Sequence, residues 1–288
     1  MPPYLVIKRI ERNKDMEIKA ADVAKLRKMT GAGMMDCKNA LQEANGDYER
    51  AQEIIREKGK LVSAKRADRT ATEGDVVAKI VDGKKGYMLC LACETDFVAK
   101  NADFIASANE ILDIAVANDA ADLDALKAVV VNGQTIETIV TDKSGQTGEK
   151  VELAYYARVE AEQVVAYVHM NNKLGSLIGF NAPVSEETAK DVAMQATAMA
   201  PVAISAEDTP DSVIETERKI GREQAAQEGK PEAMLDKIAE GKVQKFLKEN
   251  TLLSQPLVKD NKLTVEQYVK AGNPNATVVA YKRFSLND

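Results

Sequence analysis

Side chains that build most active sites are scarce in this sequence. Its 288 residues include a single histidine, His169, and only three cysteines, Cys37, Cys90 and Cys93. An odd and sparse set of cysteines argues against a disulfide framework and favours a reducing compartment, so we expect a cytoplasmic protein. A zinc site is disfavoured, because Cys90 and Cys93 are three residues apart and would face opposite sides of a strand.

Sequence motifs of catalysis and phosphate binding are also absent. The chain has no nucleophile elbow, no paired metal-binding histidines and no dinucleotide fingerprint. Gly31 and Gly33 lack the neighbouring lysine and hydroxyl of a phosphate-binding loop, so we interpret them as a break between helices. We therefore expect a protein that acts by binding, without catalytic residues, cofactor or metal. A thiol oxidoreductase using Cys90 and Cys93 is an alternative that would need an exposed thiol of low pKa.

Long apolar runs are missing as well. No stretch approaches the roughly 18 residues of a membrane span, so we expect no membrane contact. The apolar residues 4–7 are too few for a signal peptide, and no small-residue cleavage site follows them. We interpret residues 1–15 as a disordered extension, a tag or a misassigned start.

The net charge of −6 is unevenly distributed. Residues 1–70 hold 16 Lys and Arg against 11 Asp and Glu, a net charge of +5, and the remainder carries −11. An acidic body is a poor binder of nucleic acid, which attracts clustered basic side chains. We therefore expect a protein partner, reached by electrostatic steering, and no direct nucleic-acid contact.

Apolar periodicity divides the chain into an α+β arrangement of several parts. We predict a three-helix head over 16–60 and a charged linker over 61–74. In the core, two small antiparallel sheets should each be covered by helices, giving an N-subdomain over 75–150 and a C-subdomain over 151–208 and 252–288. Strands predicted over 153–160, 164–170 and 174–181 are assigned to the second sheet. Two charged helical patterns over 209–251 flank a Gly-Lys-Pro break and predict an antiparallel helical hairpin.

The most informative segment is Thr95, Asp96, Phe97 and Val98. It follows an apolar strand pattern and precedes an amphipathic helix pattern, which places Phe97 at a strand-to-helix corner. Such a corner could present the ring as a probe into another molecule. The alternative is that Thr95 or Asp96 caps the helix while Phe97 closes the core beneath it.

A second segment, residues 30–41, has the sequence TGAGMMDCKNAL. Together with residues 95–98 it resembles the bacterial translation elongation factor Ts family, and the resemblance covers nearly the whole chain from about Met16. The resemblance implies a guanine-nucleotide exchange factor for elongation factor Tu, which binds the GDP complex and promotes GDP release and GTP reloading. It also implies a ubiquitin-associated-like fold for the head and a coiled-coil insertion at the hairpin.

The resemblance assigns roles to particular residues. It implies that Thr95, Asp96, Phe97 and Val98 contact elongation factor Tu near its magnesium site and disturb that site. The anchoring contacts that it implies come from Met34, Met35, Lys38 and His169. From the residues alone, His169 could equally face solvent, and one of the two adjacent methionines could be buried in the head.

Several properties stay open at this point. The partner is expected in its GDP-bound and nucleotide-free states, and a homodimer or a 2:2 complex would both be compatible with the sequence. A competing interpretation is a stand-alone adaptor whose helical head binds a ubiquitin-like or other partner. That interpretation predicts no effect on nucleotide release and no role for Phe97.

Overall fold

The computed structural model describes residues 18–287, and the predicted extension over 1–15 lies outside them. The helices of the described residues are α1 Ala20–Thr30, α2 Met34–Glu43, α3 Tyr48–Lys65, α4 Asp96–Ala99, α5 Ala102–Ala117, α6 Leu123–Ala128, α7 Ile136–Thr147, α8 Glu186–Met199, α9 Asp211–Gln227, α10 Glu232–Asn250 and α11 Val265–Gly272. The strands are β1 Glu73–Val81, β2 Lys85–Cys93, β3 Val130–Val131, β4 Gln134–Thr135, β5 Glu152–Glu160, β6 Gln163–Val168, β7 Leu174–Phe180 and β8 Val278–Ser285. Helices combined with small antiparallel sheets confirm the predicted α+β class.

The first of two units holds the helical head. Helices α1, α2 and α3 bury a common apolar cluster that includes Leu26, Cys37 and Leu41. Asp47 caps α3, since its side chain accepts hydrogen bonds from two backbone N–H groups of the first turn. Helix α3 continues to Lys65 and β1 begins at Glu73, so both ends of the predicted 61–74 linker belong to regular elements.

A later segment, residues 138–151, joins this unit, although the prediction assigned it to the N-subdomain of the core. Gln146 Nε2 donates to the Thr30 carbonyl over 2.6 Å. Helices α3 and α7 come into backbone contact at Gly59 and Gly145, where a Cβ on Gly145 would lie 2.5 Å from the Gly59 Cα. The unit changes after Val151, one residue from the predicted boundary, but residues 138–151 pack with the head because two glycines far apart in the chain let the backbones of α3 and α7 approach.

The second unit is built on two three-stranded antiparallel sheets. The first sheet has the strand order β1-β2-β5 and the second has the order β6-β7-β8. The prediction placed β5 in the second sheet, which was wrong. In the structure β5 pairs with the far edge of β2, and Tyr156 of β5 donates its hydroxyl to the Ala120 carbonyl over 2.7 Å. Strand β5 therefore belongs to the first sheet because of its long-range pairing with β2, although only a short turn connects it to β6.

The two sheets share one apolar layer, so the predicted separate subdomains are joined. Met88 and Cys90 of β2 pack in the same buried cluster as Val164 of β6 and Leu177 of β7. Helix α5 packs on β1 and β2, while α8 packs on β6 and β7. Strand β2 is consequently buried on both faces, which explains its unbroken apolar sequence.

Helices α9 and α10 pack along each other as the predicted hairpin. Arg218 pairs with Glu240 at 3.2 Å, and Arg222 pairs with Asp236 at 2.9 Å, so partners advance along α9 and recede along α10. This order of pairs requires an antiparallel arrangement. Within residues 18–287, no helix is both long enough and apolar enough to cross a membrane.

We expect Gly145→Ala to destabilise the unit that contains α1, α2 and α3. A methyl group 2.5 Å from the Gly59 Cα meets backbone, which cannot rotate away as a flexible side chain would. Overpacking of this kind costs about 1–3 kcal/mol in the free energy of unfolding. Amide hydrogen exchange of the three head helices in urea measures the change for this unit alone.

The matched control is Gly241→Ala in α10, where no side chain or other element packs within 4 Å of the added methyl group. This substitution should raise helix stability by up to about 1 kcal/mol, because alanine is the better helix former. Equal stability of Gly145→Ala and the wild-type head would contradict the close packing of α3 on α7.

Candidate partner-binding site

Residues 95–98, here called the corner segment, connect a buried strand to a buried helix. Strand β2 ends at Cys93, the backbone of Thr95 is extended, and α4 supplies a single helical turn. Asn101 then caps α5 by accepting a hydrogen bond from the Asp103 N–H over 2.8 Å. The segment is therefore held at both ends by elements whose apolar faces are buried.

Phe97 projects from this corner into solvent. Its side chain is 85% exposed, whereas Phe104 in the next helix is 3% exposed and belongs to the core. The alternative in which Phe97 closes the core was therefore wrong. Leaving a large ring in water forfeits about 1.5–3 kcal/mol of burial free energy, which a binding partner can supply.

Asp96 and Lys100 form an ion pair on the outer side of the same turn. The Lys100 Nζ lies 2.6 Å from Asp96 Oδ2 across one helical turn. This hydrogen bond from Lys100 lowers the pKa of the Asp96 carboxyl below its ordinary value. Both side chains are substantially exposed, so the pair orients the carboxylate and adds little stability.

The turn over residues 169–173, here called the 169–173 turn, connects β6 to β7. The His169 carbonyl accepts a hydrogen bond from the Asn172 N–H over 2.8 Å, and the His169 ring nitrogen Nδ1 lies 3.2 Å from the Tyr167 hydroxyl. His169 is half-buried, so it is neither a core residue nor a freely solvated one. Met170 beside it is 92% exposed.

A cavity of about 490 Å³ separates the corner segment from the 169–173 turn. Its walls come from α4 and the residue after it, α5, the start of β1 and this turn. The lining residues are Glu73, Gly74, Asp75, Asp96, Ala99, Lys100, Ile105, Met170, Asn171, Asn172 and Lys173. The fold thus brings together two segments that are more than 70 residues apart in the sequence. Exposed Phe97 and Met170 belong to the segments on either side of this cavity, whose lining combines charged and apolar groups.

The head carries the other predicted contacts, and it is a separate unit. Gly31 ends α1 with a φ of +69°, and the chain then enters α2 at Met34. Met34 is 44% exposed and Met35 is 64% exposed, so neither methionine is buried in the head. Lys38 is exposed one turn further along the same helix. Flexible methionine side chains at a surface suit a partner helix.

Comparison with known proteins identifies the family. A family model described as "Elongation factor TS" matches residues 94–288. The chain is 49% identical to elongation factor Ts of Porphyromonas gingivalis, over 94% of this chain and 99% of that protein. The corresponding proteins of Christiangramia forsetii and Cytophaga hutchinsonii are 48% and 46% identical over the same shares of the two chains.

The chain belongs to the elongation factor Ts family. This membership confirms the resemblance inferred from residues 30–41 and 95–98. It places the chain among the elongation factors of protein biosynthesis.

Sequence reasoning missed one group that supports this site in the elongation factor Ts fold. Asp75 is 2% exposed, and its Oδ1 accepts a hydrogen bond from Asn172 Nδ2 over 2.8 Å. Burial raises the pKa of the Asp75 carboxyl, while the bond from Asn172 opposes that rise. The only sequence signal was a carboxylate directly before the apolar strand pattern that begins at Val76.

Cysteine chemistry receives no support from the geometry of this family member. Cys37, Cys90 and Cys93 are all free and buried. Burial is the largest cause of a strongly raised pKa for the Cys90 thiol. Among residues 18–287, no group of three or more His, Cys, Asp and Glu side chains is arranged to hold a metal ion.

We expect no thiol of the folded protein to react with a disulfide reagent within minutes at neutral pH. A thiolate is the reactive species, and both burial and the raised pKa of Cys90 suppress it. All three cysteines should react once the chain is unfolded in guanidinium chloride. Rapid modification of Cys90 or Cys93 in the folded state would support the oxidoreductase alternative.

Proposed function

We propose that this protein is a guanine-nucleotide exchange factor for elongation factor Tu. It binds the GDP complex, disturbs the magnesium site with the corner segment, and promotes GDP release and GTP reloading. The observation that carries the proposal is the 85% exposure of Phe97 on a corner held by buried elements on both sides. Family membership supplies the partner class.

The proposed step is a mechanical disturbance of the partner's nucleotide site. A GTPase holds its nucleotide through backbone groups around the phosphates and through a magnesium ion that bridges phosphate and protein. Phe97 would enter as a wedge, with Asp96 as its polar neighbour, while Thr95 and Val98 set the direction of the corner. No covalent bond changes on this chain, so the activity needs no catalytic residue and no bound cofactor.

Thermodynamic linkage constrains how the proposed cycle runs. If the exchange factor weakens nucleotide binding by a given factor, nucleotide weakens binding of the exchange factor by the same factor. Binding of the exchange factor to the GDP complex therefore promotes GDP release, and GTP binding to the resulting nucleotide-free complex displaces the exchange factor. The exchange factor accelerates equilibration and leaves the equilibrium between free and bound nucleotide unchanged.

We infer that the head and the 169–173 turn provide the anchoring contacts. Exposed Met34 and Met35, with Lys38 beside them, would receive a helix of elongation factor Tu. His169 would contact the same partner from the second unit. The helical head fits a ubiquitin-associated-like fold, and the ion-paired hairpin fits a coiled-coil insertion. A homodimer and a 2:2 complex with elongation factor Tu are both compatible with these contacts. We expect the protein to act in the cytoplasm.

Phe97→Ala tests the wedge. Loss of about 1.5–3 kcal/mol of ring burial should slow catalysed GDP release by about ten- to a hundredfold. Because Phe97 is 85% exposed, the free energy of unfolding should change by less than about 0.5 kcal/mol. Stopped-flow release of a fluorescent GDP analogue from elongation factor Tu measures the rate, and thermal unfolding measures the stability.

Val258→Ala is the matched control, since Val258 is 68% exposed and lies outside the cavity next to the corner. It should leave the release rate unchanged. A wild-type rate of GDP release with the Phe97→Ala variant would contradict the proposed role of Phe97. Failure of the wild-type protein to accelerate release would instead favour the adaptor interpretation.

Changing both Met34 and Met35 to Ser tests the anchor. The double variant should raise the dissociation constant of the complex by at least about tenfold, because two apolar side chains no longer become buried. The release rate at saturating exchange factor should change much less. Titration calorimetry gives the first quantity and stopped-flow gives the second.

Met234→Ser provides a comparison, since Met234 is 45% exposed and lies in α10. It should bind with the wild-type dissociation constant. An unchanged dissociation constant in the double variant of Met34 and Met35 would contradict the assignment of the anchor to the head.

A further inference from the structure

Asn172 joins the 169–173 turn to the first sheet through both its backbone and its side chain. Its backbone carbonyl accepts a hydrogen bond from the Val76 N–H over 2.7 Å, and its side chain donates to Asp75 Oδ1 over 2.8 Å. Val76 and Asp75 are neighbours in β1, the strand at the edge of the first sheet. A turn of the second sheet is thereby fixed to the sheet that carries the corner segment.

The position of Asn172 requires an unusual backbone conformation. Its φ is +54°, in the left-handed region that asparagine tolerates better than most residues. This conformation lets the side chain and the carbonyl of one residue both reach β1. Next to it, Lys173 Nζ lies 2.6 Å from Glu73 Oε1 and the Lys173 carbonyl accepts from the Leu286 N–H over 2.9 Å.

The free-energy cost of burying Asp75 suggests a functional reason for its hydrogen bond to Asn172. The residue is 2% exposed, and its second oxygen, Oδ2, has no hydrogen-bond partner. A buried carboxyl oxygen without a hydrogen-bond partner costs folding free energy, so its presence in the fold calls for an explanation. Its single hydrogen-bonding contact is with the turn that carries His169 and Met170.

We propose that Asp75 and Asn172 are positioning residues, which hold the 169–173 turn in register with the corner segment for binding to the partner. The proposal rests on the proposed exchange function and deepens it. Through its hydrogen bonds to β1, Asn172 fixes the position of its neighbours His169 and Met170 in the turn. A partner that must engage both Phe97 and this turn binds well only when the two segments keep a fixed separation across the cavity.

The first test is Asn172→Gly. Glycine adopts a positive φ without strain, so the turn itself can form while the side-chain hydrogen bond to Asp75 is lost. We expect GDP release at low exchange-factor concentration to slow by about tenfold, the size associated with losing a hydrogen bond to a charged group. Asn132→Gly is the matched control, because Asn132 has a φ of +50° in the β3–β4 turn and does not line the cavity.

A rescue series separates positioning from general stability. Asp75→Asn keeps an oxygen that can accept a hydrogen bond from Asn172, so this variant should promote GDP release from elongation factor Tu at close to the wild-type rate. Asp75→Ala should slow GDP release as much as Asn172→Gly does. Adding Asn172→Gly to a variant that already carries Met170→Ala and His169→Ala should have little further effect, since the positioned groups are gone. Equal rates for Asp75→Ala and Asp75→Asn, or a full additional tenfold loss in the combined variant, would overturn the proposal.

Amide hydrogen exchange in the free protein tests the link between Asn172 and Asp75 without elongation factor Tu. It is therefore independent of the proposed nucleotide-exchange function. Asn172→Gly should speed exchange at the amides of residues 169–174 and Val76, while Asn132→Gly should not. If the wild-type protein fails to accelerate GDP release, the proposed function fails. The amide hydrogen-exchange rates then decide whether the hydrogen bond between Asn172 and Asp75 holds the turn. Unchanged exchange at these amides would overturn the link whatever the release rates are.

Discussion

The apolar layer shared by the two sheets is the constraint on which the candidate core site depends. Strand β2 contributes Met88 and Cys90 to this layer on one face and packs against α5 on the other, so it is fixed from both sides. The corner segment begins directly after this strand. Because Val164 and Leu177 of the second sheet belong to the same layer, the turn that ends β6 is positioned relative to that corner.

The arrangement suits a protein whose activity is binding. Rigid, buried elements support short surface segments, and Phe97 and Met170, the most exposed large apolar side chains within residues 18–287, lie on those segments. Between these segments is a cavity of mixed charged and apolar lining, in which Lys100 and Lys173 each pair with a neighbouring carboxylate. Apolar anchors beside satisfied polar groups are the usual composition of a specific protein interface.

Much of the fold could be predicted from local sequence signals. The cap at Asp47, the helix break at Gly31 and the strand-to-helix corner at Phe97 each depend on residues within a few positions. The sheet membership of β5 and the docking of α7 on the head could not be predicted in this way. Both depend on surfaces formed by residues at least 60 positions away, for which a single sequence carries no local pattern.

By itself the sequence determined the α+β class, the family and the segments that carry the candidate contacts, because these follow from periodicity, turn chemistry and motif. Tertiary structure alone decided that Phe97 projects into solvent and that Met34 and Met35 are both exposed. It also decided that Asp75 meets Asn172, 97 residues away. Exposure and long-range hydrogen bonds are properties of packed surfaces, and they exist only once distant parts of the chain have been brought together.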